Sequence, residues 1–143
     1  MGKRSCSLTL IFVGLISVAT TLKAQDAHRF QIDIPFEFIL SGRTLPAGKY
    51  VVQRVDPAKP NVLMFKNTKL GAVRLLIMQR VEGDEPNTTS SLVFLRKDGQ
   101  SYLFQVWSRD EIHGNQVRFS DQDRQVTPED KNSKLVRLRA KSP

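Results

Sequence analysis

The 143-residue sequence contains one cysteine, Cys6, and two histidines, His28 and His113. A single cysteine cannot form an intrachain disulfide, so a disulfide-stabilised scaffold is excluded. Cysteine and histidine at the spacing of a structural zinc site are missing. The G-x-S-x-G turn of α/β-hydrolases and glycine-rich phosphate-binding loops are missing as well. The sequence motifs therefore assign no catalytic residue, no metal ligand and no cofactor-binding residue.

Long apolar runs occur only near the N terminus. Residues 1–24 have a basic start, an apolar stretch at 8–19 and a more polar end at Ala24. This order is typical of a signal peptide, and the stretch is shorter than the ~20 residues that span a bilayer. We predict a cleaved signal peptide, no transmembrane segment in the mature chain, and an exported protein, periplasmic or extracellular. A retained N-terminal anchor is the alternative. Cys6 precedes the apolar stretch, so lipid anchoring is not expected.

The predicted mature chain has 143 − 24 = 119 residues, the length of one domain with its own core. We divide it into a β domain at 25–126 and a basic C-terminal tail at 127–143. The net charge of +8 falls to +5 when the three basic residues of the leader are removed. This charge is compatible with polyanions or anionic envelope surfaces and equally with an ordinary solvated surface. Specific nucleic-acid binding is not expected.

Period-two alternation predicts most of the secondary structure. Apolar residues occupy every even position of 30–40, which indicates one strand, and Pro35 places it at a sheet edge or a bulge. Further strands are predicted at 49–55, 62–66, 72–81 and 116–120, and the apolar faces of 72–81 suggest a central position. Segments 92–97 and 100–107 flank Asp98-Gly99, a strong signal for a tight hairpin turn.

The tail combines helix-start signals with a high positive charge. Thr127 is suited to cap a helix, Pro128 to its first position, and Glu129 to the positive end of the helix dipole. A short C-terminal helix and a frayed tail are both compatible with this pattern. Since few apolar residues are available to attach it to a core, we expect the tail to be dispensable for folding and to supply most of any affinity for polyanions.

Six or seven short strands separated by turns, without a long amphipathic helix, predict an all-β domain. The architecture expected is a small antiparallel β-sandwich or barrel. The pattern leaves open which of the two is formed.

Several segments also carry a family resemblance. They are Ile-Pro-Phe-Glu-Phe at 34–38, Leu-Pro-Ala-Gly-Lys-Tyr at 45–50, and Leu-Val-Phe at 92–94 with Tyr102 and Val-Trp at 106–107. The chain resembles small exported β-proteins of acidobacterial type with IPFxF and LPAGxY elements. The resemblance implies an exported β domain with a charged helical tail, and it implies no activity, ligand or site residue. In physical terms, the LPAGxY element is a structural corner, in which proline and glycine shape a turn before Tyr50.

Asp110, Glu111 and His113 are the least poor candidates for acid–base chemistry, with His28 as a further partner. Such chemistry needs an oriented base in a pocket, whereas a solvated loop needs neither. We therefore favour the solvated loop.

Other polar and aromatic residues are also explained without a functional site. Asp33 and Glu37 are interpreted as solubilising charges on the first strand. Tyr102 and Phe104 are placed on one strand face and Trp107 on the other, which favours core packing over an aromatic sugar platform. Asn87 begins an Asn-Thr-Thr sequon, to which we give little weight.

The function predicted first is an exported, non-enzymatic binding or structural module of the cell envelope or secreted fraction, acting through loops or exposed sheet edges. The alternatives are an extracellular hydrolase and a polyanion or envelope-surface binder that uses the basic tail.

Overall fold

The computed structural model describes residues 28–119 and 127–141, which form eleven strands and no helix. No helix in these two ranges is long and apolar enough to cross a membrane. The signal peptide predicted at 1–24 lies outside the described residues. The strands are β1 (Arg29–Ile34), β2 (Phe38–Leu40), β3 (Arg43–Leu45), β4 (Gly48–Arg54), β5 (Val62–Asn67), β6 (Val73–Ile77), β7 (Gln79–Glu82), β8 (Ser91–Lys97), β9 (Gln100–Trp107), β10 (His113–Gln116) and β11 (Lys134–Arg139).

The strands form two sheets. The four-stranded sheet has the order β1-β4-β5-β6 and is antiparallel throughout. The seven-stranded sheet has the order β11-β8-β9-β10-β7, and β2 joins it beside β9 and pairs with β3. The all-β prediction is confirmed, and the arrangement is consistent with a small β-sandwich.

The first predicted strand is interrupted at its proline. β1 ends at Ile34 and β2 begins at Phe38, in the other sheet. The even-numbered apolar side chains face the core on both sides of the break. Ile32, Ile34, Phe38 and Leu40 are buried, and Phe30 and Phe36 are partly buried against them. β1 is an edge strand, as expected for a segment that ends at Pro35.

The prediction of one central strand at 72–81 is wrong. The segment divides at Met78 into β6 and β7, and each lies at the edge of a different sheet. Met78 is buried and donates its backbone N–H to the carbonyl of Asn61 at 2.9 Å. The apolar residues on both faces mark a crossover between the sheets and an exposed edge, not a strand buried on both sides. The two breaks, at Pro35 and Met78, contribute to a strand count of eleven in place of six or seven.

The hairpin predicted around Asp98-Gly99 is confirmed. β8 and β9 pair antiparallel, and the two turn residues have φ values of 50° and 77°. The next strand, β10, ends at Gln116, so the strand predicted at 116–120 is displaced toward the N terminus.

A β-bulge in β9 changes which side chains share a face. Val93 pairs with Gln105 and Phe94 with Leu103, so Phe104 is the extra residue. The bulge brings Phe104 and Trp107 into one cluster, although sequence alternation placed them on opposite faces. That prediction was wrong because strict alternation assumes that no extra residue is inserted in the strand.

The main core lies between the two sheets. It includes Ile34 from β1, Tyr50 from β4, Phe65 from β5, and Phe38 and Phe94 from the larger sheet. A second cluster lies on the opposite face of the larger sheet and contains Val93, Leu95, Phe104 and Trp107, with Val81, Tyr102 and Phe119 packed against it.

The C-terminal tail forms a strand at 134–139, which differs from both alternatives considered for it, a short helix and a frayed tail. β11 pairs antiparallel with β8 over six residues, and Val136 and Leu138 lie opposite the core residues Phe94 and Leu92. The helix-start signals at 127–130 form a turn, in which the backbone N–H of Asp130 donates to the carbonyl of Thr127 at 3.2 Å. The tail alternates along 134–139 and pairs with β8 along the whole strand, which argues against the expectation that it is dispensable for folding.

Candidate functional site: a basic cleft between two edge strands

The LPAGxY element forms the expected corner. The hydroxyl of Tyr50 donates to the carbonyl oxygen of Pro46 at 2.7 Å, and the Tyr50 ring is buried against Phe38 with 5.3 Å between centroids. Gly48 has a φ of 148°, a conformation that favours glycine. The local sequence is therefore explained by the turn and by the packing of Tyr50.

A cleft of about 370 Å³ lies between this corner and the turn at 67–70. Its most buried polar side chain, Asn67, already accepts backbone hydrogen bonds from Lys69 at 3.0 Å and Leu70 at 2.9 Å. The backbone N–H of Thr68 likewise donates a hydrogen bond to the carbonyl of Lys49 at 2.9 Å. These groups stabilise the turn, so they are not the convergent free polar groups that a ligand site needs.

Glu111 is an ion-pair partner that connects the two sheets. Both of its carboxylate oxygens accept from Arg54 Nη2, at 2.8 and 3.1 Å, and His28 Nδ1 lies 3.1 Å from Oε1 without hydrogen-bond geometry. Arg54 is the last residue of β4 in the smaller sheet, whereas Glu111 precedes β10 of the larger one. Both carboxylate oxygens of Glu111 are therefore engaged in a contact that connects the two sheets.

The other proposed acid–base residues do not join this contact. Asp110 has a φ of 62°, its side chain is 81% exposed, and it lies 3.5 Å from Arg109. His113 lies in β10 opposite Glu82. Of the four residues proposed for acid–base chemistry, only Glu111 and His28 are therefore in contact. No group of three or more His, Cys, Asp or Glu side chains that could bind a metal occurs at 28–119 or 127–141.

The aromatic residues are packed and do not form an open platform. Trp107 is 8% exposed and its indole N–H donates to Gln105 Oε1 at 3.1 Å. A Cβ at Gly114 would lie 2.7 Å from the Trp107 ring, so the two strands are in close contact there. Phe104 is stacked on Phe119 with a centroid distance of 5.9 Å.

Asn87 has a structural role. Its side-chain amide and its backbone N–H both donate to the carbonyl of Glu111, at 2.9 and 3.1 Å. Its own carbonyl accepts from the backbone of Asp110 at 2.7 Å. Attachment of a glycan would disturb this loop contact.

A cleft of about 520 Å³, larger than the one beside the turn at 67–70, lies where β1 and β11 run side by side at the edges of the two sheets. We call it the seam cleft. Its volume is in the range of ligand pockets. It is lined by Arg29, Phe30, Gln31, Ile32, Asp33, Lys49, Arg139 and Lys141.

The four cations of the seam cleft form no ion pair within the part of the chain that the structure describes. Arg29, Lys49, Arg139 and Lys141 form neither an ion pair nor a side-chain hydrogen bond with any other described residue. Asp33, which pairs with Lys49 in the β1–β4 register, is the one carboxylate among the lining residues. Four positive charges and one negative charge give the lining a formal charge of +3. A concave surface with charge of one sign concentrates ligands of the opposite sign.

The positive surface continues beyond the seam cleft. Arg139 also lines a second, smaller cleft of about 170 Å³, together with Arg137 and Glu85. The guanidinium of Arg137 lies 5.9 Å from the centre of the Trp107 ring. The basic residues Arg137 and Arg139 of the tail therefore belong to an ordered strand, β11.

Comparison with other proteins adds no assignment. No family model, curated protein or solved structure matches the chain. The geometry of the clefts is therefore the basis for any functional argument.

The sequence predicted no cleft. It placed Arg139 and Lys141 in the basic tail at 127–143, and it assigned no role to Arg29 or Lys49. Those two residues come from β1 and β4, far from the tail in sequence, and only the meeting of the two sheet edges brings them together.

Proposed function

We propose that this protein is an exported, non-enzymatic binding domain that recognises polyanions in the seam cleft. The ligand class is a polymer with sulfate, phosphate or carboxylate groups, as found on envelope and extracellular surfaces. The observation that carries the proposal is the convergence on one cleft of four cations, from three separate strands or strand ends, that form no ion pair with any described residue.

The strand conformation of the tail favours binding at an ordered cleft over binding by a flexible basic tail. Arg139 belongs to β11, and the next residue, Ala140, is buried and donates its backbone N–H to the carbonyl of Ser90 at 2.8 Å. Lys141 follows directly. A cation attached to ordered backbone loses less conformational freedom on binding than one on a free chain.

The lining chemistry fits anions with planar or tetrahedral oxygens. Arg29 and Arg139 present guanidinium groups that form paired hydrogen bonds with sulfate, phosphate or carboxylate. Lys49 and Lys141 add point charges, and Phe30 supplies an apolar wall. The negative charge of Asp33 repels anionic groups placed next to it, so ligands that keep their anionic groups away from Asp33 should bind more tightly.

The hydrolase alternative has less support. Its best candidate, Glu111, is engaged by Arg54 on both oxygens and does not line the seam cleft. We therefore make no proposal of catalysis.

The test is a comparison of two double variants with the same change in charge. The first, Arg139→Gln with Lys141→Gln, removes two cations from the seam cleft. The control, Lys59→Gln with Lys69→Gln, removes two exposed cations elsewhere, and Lys69 lines the cleft beside the turn at 67–70. Binding to a heparin oligosaccharide and to inorganic polyphosphate is measured by calorimetry at low and physiological salt, which distinguishes sulfated from phosphorylated ligands.

Each cation near an anionic surface contributes about 1 kcal/mol, so loss of two predicts a roughly 10- to 30-fold weaker affinity. The control should change affinity by less than about 3-fold, and added salt should weaken the wild type. Equal losses in both double variants would show that overall charge, and not the seam cleft, determines binding. Absence of binding to both polymers at low salt would refute the proposal.

A further inference from the structure

The edge of the four-stranded sheet opposite β1 is unusually apolar. In the described part of the chain, β6 pairs with β5 only. Its residues Val73, Leu75 and Ile77 are 41%, 63% and 74% exposed. An exposed apolar edge strand is a ready template for pairing with another strand.

The backbone of β6 has its free hydrogen-bonding groups at the same residues. Ala72 accepts a backbone hydrogen bond from β5 and Met78 donates one to the residue before β5, both at 2.9 Å. In an antiparallel pair the bonded residues alternate, so positions 72, 74, 76 and 78 use their groups toward β5. The N–H and C=O groups of Val73, Leu75 and Ile77 consequently face the free edge.

We propose that β6 is a self-association edge, at which two copies of this chain pair their β6 strands antiparallel about Leu75. In this register Leu75 lies opposite Leu75 of the second copy, and Val73 lies opposite its Ile77. Each of the three residues then finds a partner for its N–H and its C=O. The exposed side chains of both copies form one continuous apolar stripe on the same face.

The same geometry limits the strength of the dimer. A five-residue strand is about 17 Å long, so this contact buries far less than the ~1,200–2,000 Å² of a standard stable interface. Arg74 adds a further cost, because its Nη1 lies 3.4 Å from the Val73 carbonyl that must pair with the second copy. The two Arg74 side chains would also be diagonal neighbours. We therefore expect a weak, reversible dimer that forms only at high protein concentration.

Salt and charge distinguish a second copy from another partner. Screening reduces the repulsion between the two Arg74 residues, so salt should strengthen self-association, and Arg74→Gln should strengthen it further. An acidic extended peptide from another protein would pair with Arg74, and both changes would weaken its binding. Because β6 and β1 are opposite edges of one sheet, the dimer leaves the seam cleft accessible.

Sedimentation velocity of the full chain from about 10 µM to 1 mM provides the first test. The wild type should shift from monomer toward dimer as concentration rises, more so at high salt, whereas Leu75→Lys should remain monomeric. The matched control is Val55→Lys, which adds the same charge at a 49% exposed residue after β4 and should behave as wild type. Urea unfolding verifies that both variants are folded.

Amide hydrogen exchange locates the contact. The amides of Val73, Leu75 and Ile77 should become slower to exchange as concentration rises, while those of Arg74 and Leu76, already directed to β5, should not change. A wild-type chain that stays monomeric to 1 mM would overturn the proposal. A dimer that is unaffected by Leu75→Lys, is weakened by salt, or protects other amides would overturn it as well.

Discussion

The corner formed by the LPAGxY element permits a quantitative test with an internal control. Tyr50→Phe removes the hydroxyl that donates to Pro46 at 2.7 Å and preserves the ring contact with Phe38. Pro46 is exposed, so water can satisfy its freed carbonyl, and the loss should be that of one net hydrogen bond, about 1 kcal/mol. The control is Tyr102→Phe, whose hydroxyl donates to Gln100 at 2.7 Å in an exposed setting. We expect this variant to lose less than about 0.5 kcal/mol.

Equilibrium urea unfolding measures both variants. With an m-value of about 1–3 kcal/mol/M, Tyr50→Phe should lower the midpoint by roughly 0.3–1 M, and Tyr102→Phe should lower it far less. Equal midpoints for the two variants would refute the reasoning that the Tyr50 hydroxyl stabilises the corner. A change in the m-value would indicate an altered denatured state and would require a second probe.

Three further predictions concern packing, the tail and pH. Gly114→Ala places a Cβ 2.7 Å from the ring of Trp107 at a residue without positive φ, so it should cost about 1–3 kcal/mol in urea unfolding, and unchanged stability would contradict the strand contact. Truncation after residue 133 removes β11 and exposes the edge of β8, so the strand signal in circular dichroism should lose its cooperative thermal transition; a retained transition would show that the tail is dispensable. The hydrogen bond from Lys97 lowers the pKa of Asp130 and raises the pKa of Lys97. The stabilisation of the folded state by this pair is therefore fully present above the ordinary aspartate pKa of ~3.9. It is lost as the pH falls through the lowered pKa of Asp130, and also as the pH rises through the raised pKa of Lys97. Asp130→Asn should destabilise the protein at neutral pH, and its effect should shrink as the pH falls through the lowered pKa of Asp130; an effect that does not depend on pH would contradict the ion pair.

Local signals predicted the parts of the fold that depend on neighbouring residues. Asp98-Gly99 specified the β8–β9 hairpin because two positive φ values are needed within two residues. The alternation at 30–40 identified the inward face correctly, including Ile34 and Phe38 on either side of the break. In each case the determining contacts lie within a few residues along the chain.

Features that depend on distant contacts were not predictable. The bulge at Phe104 is specified by the pairing of β9 with β8, and period-two counting cannot detect it. The tail contained helix-start residues, yet pairing with β8 determined its conformation. The seam cleft combines Arg29 with Arg139, which are 139 − 29 = 110 residues apart, so no window of sequence contains both.

The most direct test of polyanion recognition is a map of where the ligand binds. Backbone amide chemical shifts of the labelled protein are recorded during titration with a short heparin oligosaccharide. We predict that the largest changes occur along β1, at Lys49 and at 139–141, and that the turn at 67–70 and β6 change little. Changes that concentrate at the turn or β6, or that spread evenly over all exposed lysines and arginines, would contradict a binding site in the seam cleft.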